Sequence, residues 1–128
     1  VCLHRQAPKF KWPVSVVNQA VKHLHDHNLV HLDIKLENIL IDNNRHYKLG
    51  DFGLVIDISK DLKDAEDGDP KYLAPEVMNG NVTKGADIFS VGITMLELAT
   101  DMELPSSGPL WHELRNGIFP DHLTKGNY

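Results

Sequence analysis

The chain has 128 residues, 41% hydrophobic and 24% charged, with a net charge of −5 at pH 7. That length supports one hydrophobic core and not two, and the acidic balance argues against a broad nucleic-acid or anionic-membrane surface. No run approaches the roughly 20 apolar residues of a membrane span, and the single cysteine, Cys2, excludes an internal disulfide and a multi-cysteine metal site.

Residues 1–13 contain no apolar stretch with a small-residue cleavage site, so they are not read as a signal peptide. They are left unassigned, and the absence of an initiator Met sets the expectation that the chain begins inside a longer protein. Pro13 suits a helix start, and Val14, Val17, Ala20, Val21 and Leu24 recur at three and four positions, which predicts an amphipathic helix to His25. Asn28 is expected to end it in a left-handed cap. Two short strands, NILI and YKLG, joined by DNNRH, predict a hairpin. The polar stretch Asp57–Asp69 reads as a surface loop with a helical turn in it. APEVMNG reads as a short helix stopped at Asn79-Gly80. DIFSVGITMLELAT, 87 to 100, has only Glu97 charged in its interior and predicts a helix buried on most faces. A loop and a last short helix, LWHELRNG, follow. The fold class is mainly α with a short β-hairpin, α+β overall.

The stretch HLDIKLENILI places Asp33, Lys35 and Asn38 within six positions, and runs on to KLGDFG. A buried strand has no use for an acid, a base and an amide so close together. Either they pair with one another or they face a polyanionic ligand. His31, Asp33 and Asn38 are followed by Asp51-Phe52-Gly53 and then by Ala74-Pro75-Glu76. In this order and spacing, the three motifs resemble the catalytic loop, metal-binding turn and A-P-E segment of eukaryotic protein kinases.

The resemblance implies a protein kinase that uses ATP and magnesium to phosphorylate a protein hydroxyl. Phosphoryl transfer needs an in-line nucleophile and neutralised phosphate charge. By resemblance, Asp33 accepts or orients the hydroxyl proton, and Lys35 reaches the transferring phosphate. Asn38 and Asp51 offer oxygen ligands to magnesium. Leu40 forms the floor under adenine, the Glu37 carbonyl sits near the ribose, Phe52 stacks on His31, and Asp87 binds backbone N–H groups of the catalytic loop. Simpler readings exist: Asp33 with Lys35 as a surface ion pair, Asp51 as a turn acid, Asp87 as a helix N-terminal carboxylate. His23 and His27, four apart, have the spacing of a two-histidine metal pair, but no H-E-x-x-H glutamate lies between them.

Leu32 stands where most kinases carry the Arg that receives an activation-loop phosphate, and Asp69 stands where most serine/threonine kinases carry Thr. With MELPSSGPLWHELRNGIFP after the long helix, these features resemble the Wee/Myt inhibitory kinases, and the Myt branch in particular, over residues 14 to 123. That implies a cyclin-dependent kinase as protein substrate in mitotic-entry control, and activity not gated by loop phosphorylation. It implies an address in the nucleus or cytoplasm, or at endomembranes for a Myt-like protein. No nucleic-acid partner is expected, and no membrane segment occurs in these residues. Asp69 is expected to face Lys35 and to tune the loop for its acceptor.

The 128 residues contain no Gly-rich phosphate loop and no V-A-I-K-like lysine, and Arg115 stands too early to pair with Glu76. Residues 14–128 are therefore expected to be a partial kinase domain, a C-lobe with its N-lobe absent and truncated before its last helices. Alone it is expected to transfer little phosphate and to be of low stability. The alternative is a non-catalytic C-lobe acting as a protein-binding module.

Overall fold

In the computed structural model, which describes residues 14–60, 65–66 and 68–121, the first element is helix α1, Val14–Asp26. Its apolar stripe buries Val17 and Val21, each contributing roughly 1.5–3 kcal/mol by removal from water. Asn28, at φ 58°, ends it in the left-handed region as expected. The expected hairpin forms from β2, Ile39–Ile41, and β3, Tyr47–Leu49, in the register Ile39↔Leu49 and Ile41↔Tyr47. In its turn, Asp42 accepts the backbone N–H groups of Asn44 (2.8 Å) and His46 (2.9 Å). Those bonds, the one from His46 foremost, hold its carboxyl below the usual range.

A second antiparallel pair was not expected. β1, Leu29–Val30, pairs with β4, Ile56–Asp57, in the register Leu29↔Asp57 and Val30↔Ile56. The Ile58 N–H extends it by donating to the Asn28 carbonyl at 2.9 Å. The start of the expected surface loop is therefore strand, and Leu54, Ile56 and Ile58 pack on a core cluster. Two residues per strand are too few for alternation to show in sequence. The helical turn expected within 57–69 falls largely on residues 61–64 and 67, outside the described residues, as does the unassigned segment 1–13.

After the short helix α2, Pro75–Met78, comes α3, Lys84–Thr100, which begins three residues before the expected Asp87. It serves three clusters of buried side chains. Val91 joins Val17, Val21, Ile34, Ile39 and Leu49. Ala86 joins Val30, Leu32, Leu73, Ala74 and Val77, and Ile93 joins Tyr72 and Leu104. Ser90 and Thr94 are buried in this helix because their hydroxyls donate to carbonyls one turn back, Ala86 at 3.1 Å and Ser90 at 2.7 Å. Ile88 and Met95 point outward, so the helix is less enclosed than its composition predicts. α4, Pro109–Arg115, follows. Helices with small antiparallel sheets make up the described residues, and none of these helices is long and apolar enough to cross a membrane.

Candidate active site

Residues 31–38 link β1 to β2, and β3 returns the chain to Gly50. Because Ile39 faces Leu49, Asn38 and Gly50 meet at the open end of the hairpin, where the Gly50 N–H donates to the Asn38 carbonyl at 2.8 Å. Asp51 follows at once, in the left-handed region at φ 51°. Asn38 and Asp51, thirteen positions apart in sequence, are thus brought to one end of one hairpin. A Cβ at position 50 would lie 2.9 Å from Leu40 Cδ1, so the Leu40 side chain would have to turn aside for a larger residue. Leu40 itself turns outward, 40% exposed.

His31, fully buried, ties the two motifs together. Its Nδ1 accepts the Asp33 N–H at 3.1 Å, so Nε2 carries the proton and donates to the Gly50 carbonyl at 2.9 Å. The Phe52 ring lies edge-on, its centroid 5.4 Å away, and remains half exposed.

Asp87, in the first turn of α3, is completely buried. Its carboxylate accepts the backbone N–H of His31 (2.8 Å) and of Leu32 (3.0 Å), and His25 Nε2 bonds to it at 2.9 Å. The carboxylate therefore holds the main chain two residues before Asp33, at a point where Leu32 takes a left-handed φ of 67°.

Asp33, Lys35 and Asn38 are in direct contact. Asn38 Nδ2 donates to the Asp33 carbonyl at 2.7 Å and to its Oδ2 at 3.1 Å. Lys35 Nζ lies 3.9 Å from Asp33 Oδ1, 4.0 Å from the exposed Glu37 carboxylate and 3.3 Å from Asp69 Oδ2. Burial pushes the Lys35 ammonium down, but the Asp33 and Asp69 carboxylates outweigh it and hold it above the ordinary lysine range. Asp69 thus faces Lys35 as expected. It also accepts the Lys71 N–H at 3.1 Å, which shapes the segment behind it. Asp51 makes its hydrogen bond inside its own turn, accepting the Gly53 N–H at 3.3 Å; none joins it to Asn38 among the described residues.

The donor set suits a hard cation. Asn38 uses its amide nitrogen on Asp33, which leaves Oδ1 as the oxygen it can offer, and Asp51 adds a carboxylate. Two protein oxygens, with phosphates and water completing the shell, is a set magnesium takes. Among the described residues no group of three or more His, Cys, Asp or Glu could hold an ion unaided. His23 and His27 lie with ring centroids 4.7 Å apart, and the His27 Nδ1–H donates to the His23 carbonyl at 2.8 Å at the end of α1.

Several contributors escaped the sequence reading. A Cβ on Gly68 would stand 2.2 Å from the Leu32 carbonyl oxygen, so the segment ahead of Asp69 rests directly on the loop carrying Asp33. Tyr72 Oη donates to the buried Glu97 at 2.7 Å, and Ser90 Oγ to the Tyr72 carbonyl at 2.8 Å. Glu97, the sole charge inside an apolar helix, was the one available signal. Glu76 is half-buried, and Arg115 turns to the main chain of 70–73.

A family model described as the protein kinase domain matches residues 6–118. The chain is 54% identical over 110 residues to the membrane-associated tyrosine- and threonine-specific cdc2-inhibitory kinase wee-1.3 of Caenorhabditis elegans, covering 84% of this chain and 16% of that protein. It is 57% identical over 107 residues to the membrane-associated tyrosine- and threonine-specific cdc2-inhibitory kinase of Drosophila melanogaster, covering 82% of this chain and 20% of that protein. It is 40% identical over 104 residues to the mitosis inhibitor protein kinase mik1 of Schizosaccharomyces pombe, covering 80% and 18%. The chain spans a fifth or less of the length of these relatives.

Proposed function

The chain belongs to the protein kinase family, in its Wee/Myt branch, and we propose that it supplies the catalytic loop and the metal-binding turn for phosphoryl transfer from ATP to a protein hydroxyl. The observation that carries this reading is the fixed trio of Asp33, Lys35 and Asn38 on a loop whose main chain is held by a buried carboxylate.

In this reading Asp33 accepts the proton of the acceptor hydroxyl as its oxygen attacks the γ-phosphorus and ADP leaves. Asn38, bonded to both the carbonyl and the carboxylate of Asp33, fixes the direction of that carboxylate. Lys35 stays charged at neutral pH and places a cation beside the transferring group. Asn38 Oδ1 and the Asp51 carboxylate would hold magnesium, which when bound neutralises charge on the phosphates. Leu40, outward on β2, provides apolar surface for adenine, and the Glu37 carbonyl lies on the ribose side. The described elements correspond to the C-lobe, so ATP would also be gripped from outside them.

The relatives are named as cdc2-inhibitory and as mitosis inhibitors, which supports a cyclin-dependent kinase as the protein substrate, and two of them are named as membrane-associated, which supports an endomembrane address over a nuclear or free cytoplasmic one. The test is magnesium-dependent phosphorylation of a cyclin-dependent kinase peptide by the full-length protein, with Asp33→Asn as control. Transfer that falls by roughly a hundredfold or more in the variant supports the reading. No transfer by the wild-type protein would move the assignment to a protein-binding module.

A further inference from the structure

We propose that Arg115 is a positioning residue for the acceptor-facing segment Asp69–Leu73, gripping it by its main chain where other kinases would use a loop phosphate. The inference rests on the kinase reading above and deepens it. α4 presents Trp111 and Arg115, four apart, on one face. The guanidinium Nη2 donates to the carbonyls of Pro70 (3.1 Å), Lys71 (3.3 Å) and Leu73 (2.9 Å), and Nε donates to Leu73 at 3.1 Å. Nη1 donates to the Trp111 carbonyl in its own helix at 3.2 Å. Trp111 Nε1 adds a bond to the Pro70 carbonyl at 2.9 Å. The guanidinium carbon sits 3.7 Å from the Trp111 ring centroid and 5.3 Å from that of Phe89. Among the described residues no carboxylate pairs with it.

An arginine ordinarily meets an acid. Here its donors all face main-chain oxygens, so it reads the path of residues 70–73 and not their side chains. The planar fork donates to the Leu73 carbonyl through both Nε and Nη2 while its plane lies on the Trp111 ring, and Nη2 also reaches the carbonyls of Pro70 and Lys71. A lysine keeps the charge and loses the second donor to Leu73 and the flat stack on Trp111. Burial pulls the guanidinium down to about 10, still fully charged at neutral pH.

The place of this grip gives it a role. The same segment is tied to the catalytic loop by Asp69 and Lys35 (3.3 Å), and to α3 by Ser90. Leu32, where an arginine could gather a phosphate, is buried against Leu73, Ala74 and Val77 instead. A cation is therefore present, but it reaches the segment from α4 and binds its main-chain carbonyls.

In the full-length kinase, Arg115→Lys and Arg115→Ala are compared with wild type for kcat, KM toward the protein substrate, KM toward ATP, and hydrogen exchange at the Lys71 and Tyr72 amides. The expected result for both variants is a roughly ten- to hundredfold loss in kcat/KM for the protein substrate, carried by its KM, with the KM for ATP unchanged. The two amides should exchange about tenfold faster or more. A purely structural role would reduce the active fraction, lowering kcat and leaving both KM values alone. That outcome, or an Arg115→Lys protein with wild-type KM and wild-type exchange, overturns the proposal. Should the wild-type protein transfer no phosphate, the kinase reading fails, while the exchange measurement still decides whether Arg115 orders the segment.

Discussion

Replacing Asp87 tests the idea that one buried carboxylate sets the shape of the catalytic loop. Asp87 is fully buried and accepts the His31 and Leu32 N–H groups at 2.8 and 3.0 Å. Hydrogen bonds to a charged group contribute roughly 1.5–3 kcal/mol each, so removing these two by Asp87→Ala should cost about 3–6 kcal/mol, and the His25 bond is lost with them. That is a large part of a total stability of roughly 5–15 kcal/mol, and the alanine protein is expected to be largely unfolded. Asp87→Asn keeps the volume and one acceptor oxygen, but turns an NH₂ toward the second N–H. Its expected cost is about 2–4 kcal/mol, with turnover falling because Asp33 follows Leu32 directly. Urea denaturation of the kinase domain that carries this chain, followed by tryptophan fluorescence, measures the first, and peptide phosphorylation the second. An Asn variant within about 0.5 kcal/mol of wild type, with unchanged turnover, would refute the reasoning.

Gly68→Ala should push the Asp69 segment off the catalytic loop, because the new methyl would meet the Leu32 carbonyl oxygen at 2.2 Å; phosphotransfer is expected to drop by about tenfold or more, and undiminished activity would show that this contact is not needed. Tyr72→Phe removes the donor to Glu97 and should cost roughly 1–3 kcal/mol in a denaturation experiment near neutral pH. Burial first, and Glu97 second, raise the Tyr72 phenol above its unfolded value of 10.0. Above that pH the unfolded chain releases a proton that the folded chain retains, so wild-type stability declines. The Phe variant should show a shallower alkaline decline between pH 10 and 11, and parallel curves would count against the buried pair. Asp69→Thr removes the carboxylate 3.3 Å from Lys35; it is expected to slow transfer and shift the ratio of Tyr to Thr phosphorylation on matched peptides, an idea that does not survive an unchanged rate and ratio.

Patterns that repeat locally were legible in the sequence. The apolar spacing of α1 gave its buried face, Asn28 its cap, and the DNNRH turn its hairpin. The residue types Asp33, Lys35 and Asn38, set close on one loop, stand in contact because the turn at Leu36–Asn38 folds Asn38 back onto Asp33. What could not be read is whatever depends on meeting across the fold. The pairing of β1 with β4 involves two residues on each side, below the length at which periodicity speaks. Arg115 offered no motif, since its partners are carbonyl oxygens that every residue possesses. Gly68 is required by a backbone approaching from 36 positions away. The outward Ile88 and Met95 on α3 show the converse limit: composition reports how apolar a helix is, not which of its faces finds a neighbour.

The pairing of β1 with β4 has a mechanical consequence. Asp33, Lys35, Asn38 and Asp51 all lie on the excursion from 31 to 55, whose two ends are drawn together by the β1–β4 pairs and whose body packs on α1 and α3 through Ile34, Ile39 and Leu49. Tension applied to the chain beyond Asp57 arrives at Leu29 and Val30, immediately upstream of His31. Yet so narrow a neck cannot creep. A slip of one residue would turn the wholly buried Val30 to the opposite face, because alternate side chains point to opposite sides. The pairing therefore fixes the two ends of the excursion in one register, and the Asp87 bonds to His31 and Leu32 back it from the side of α3.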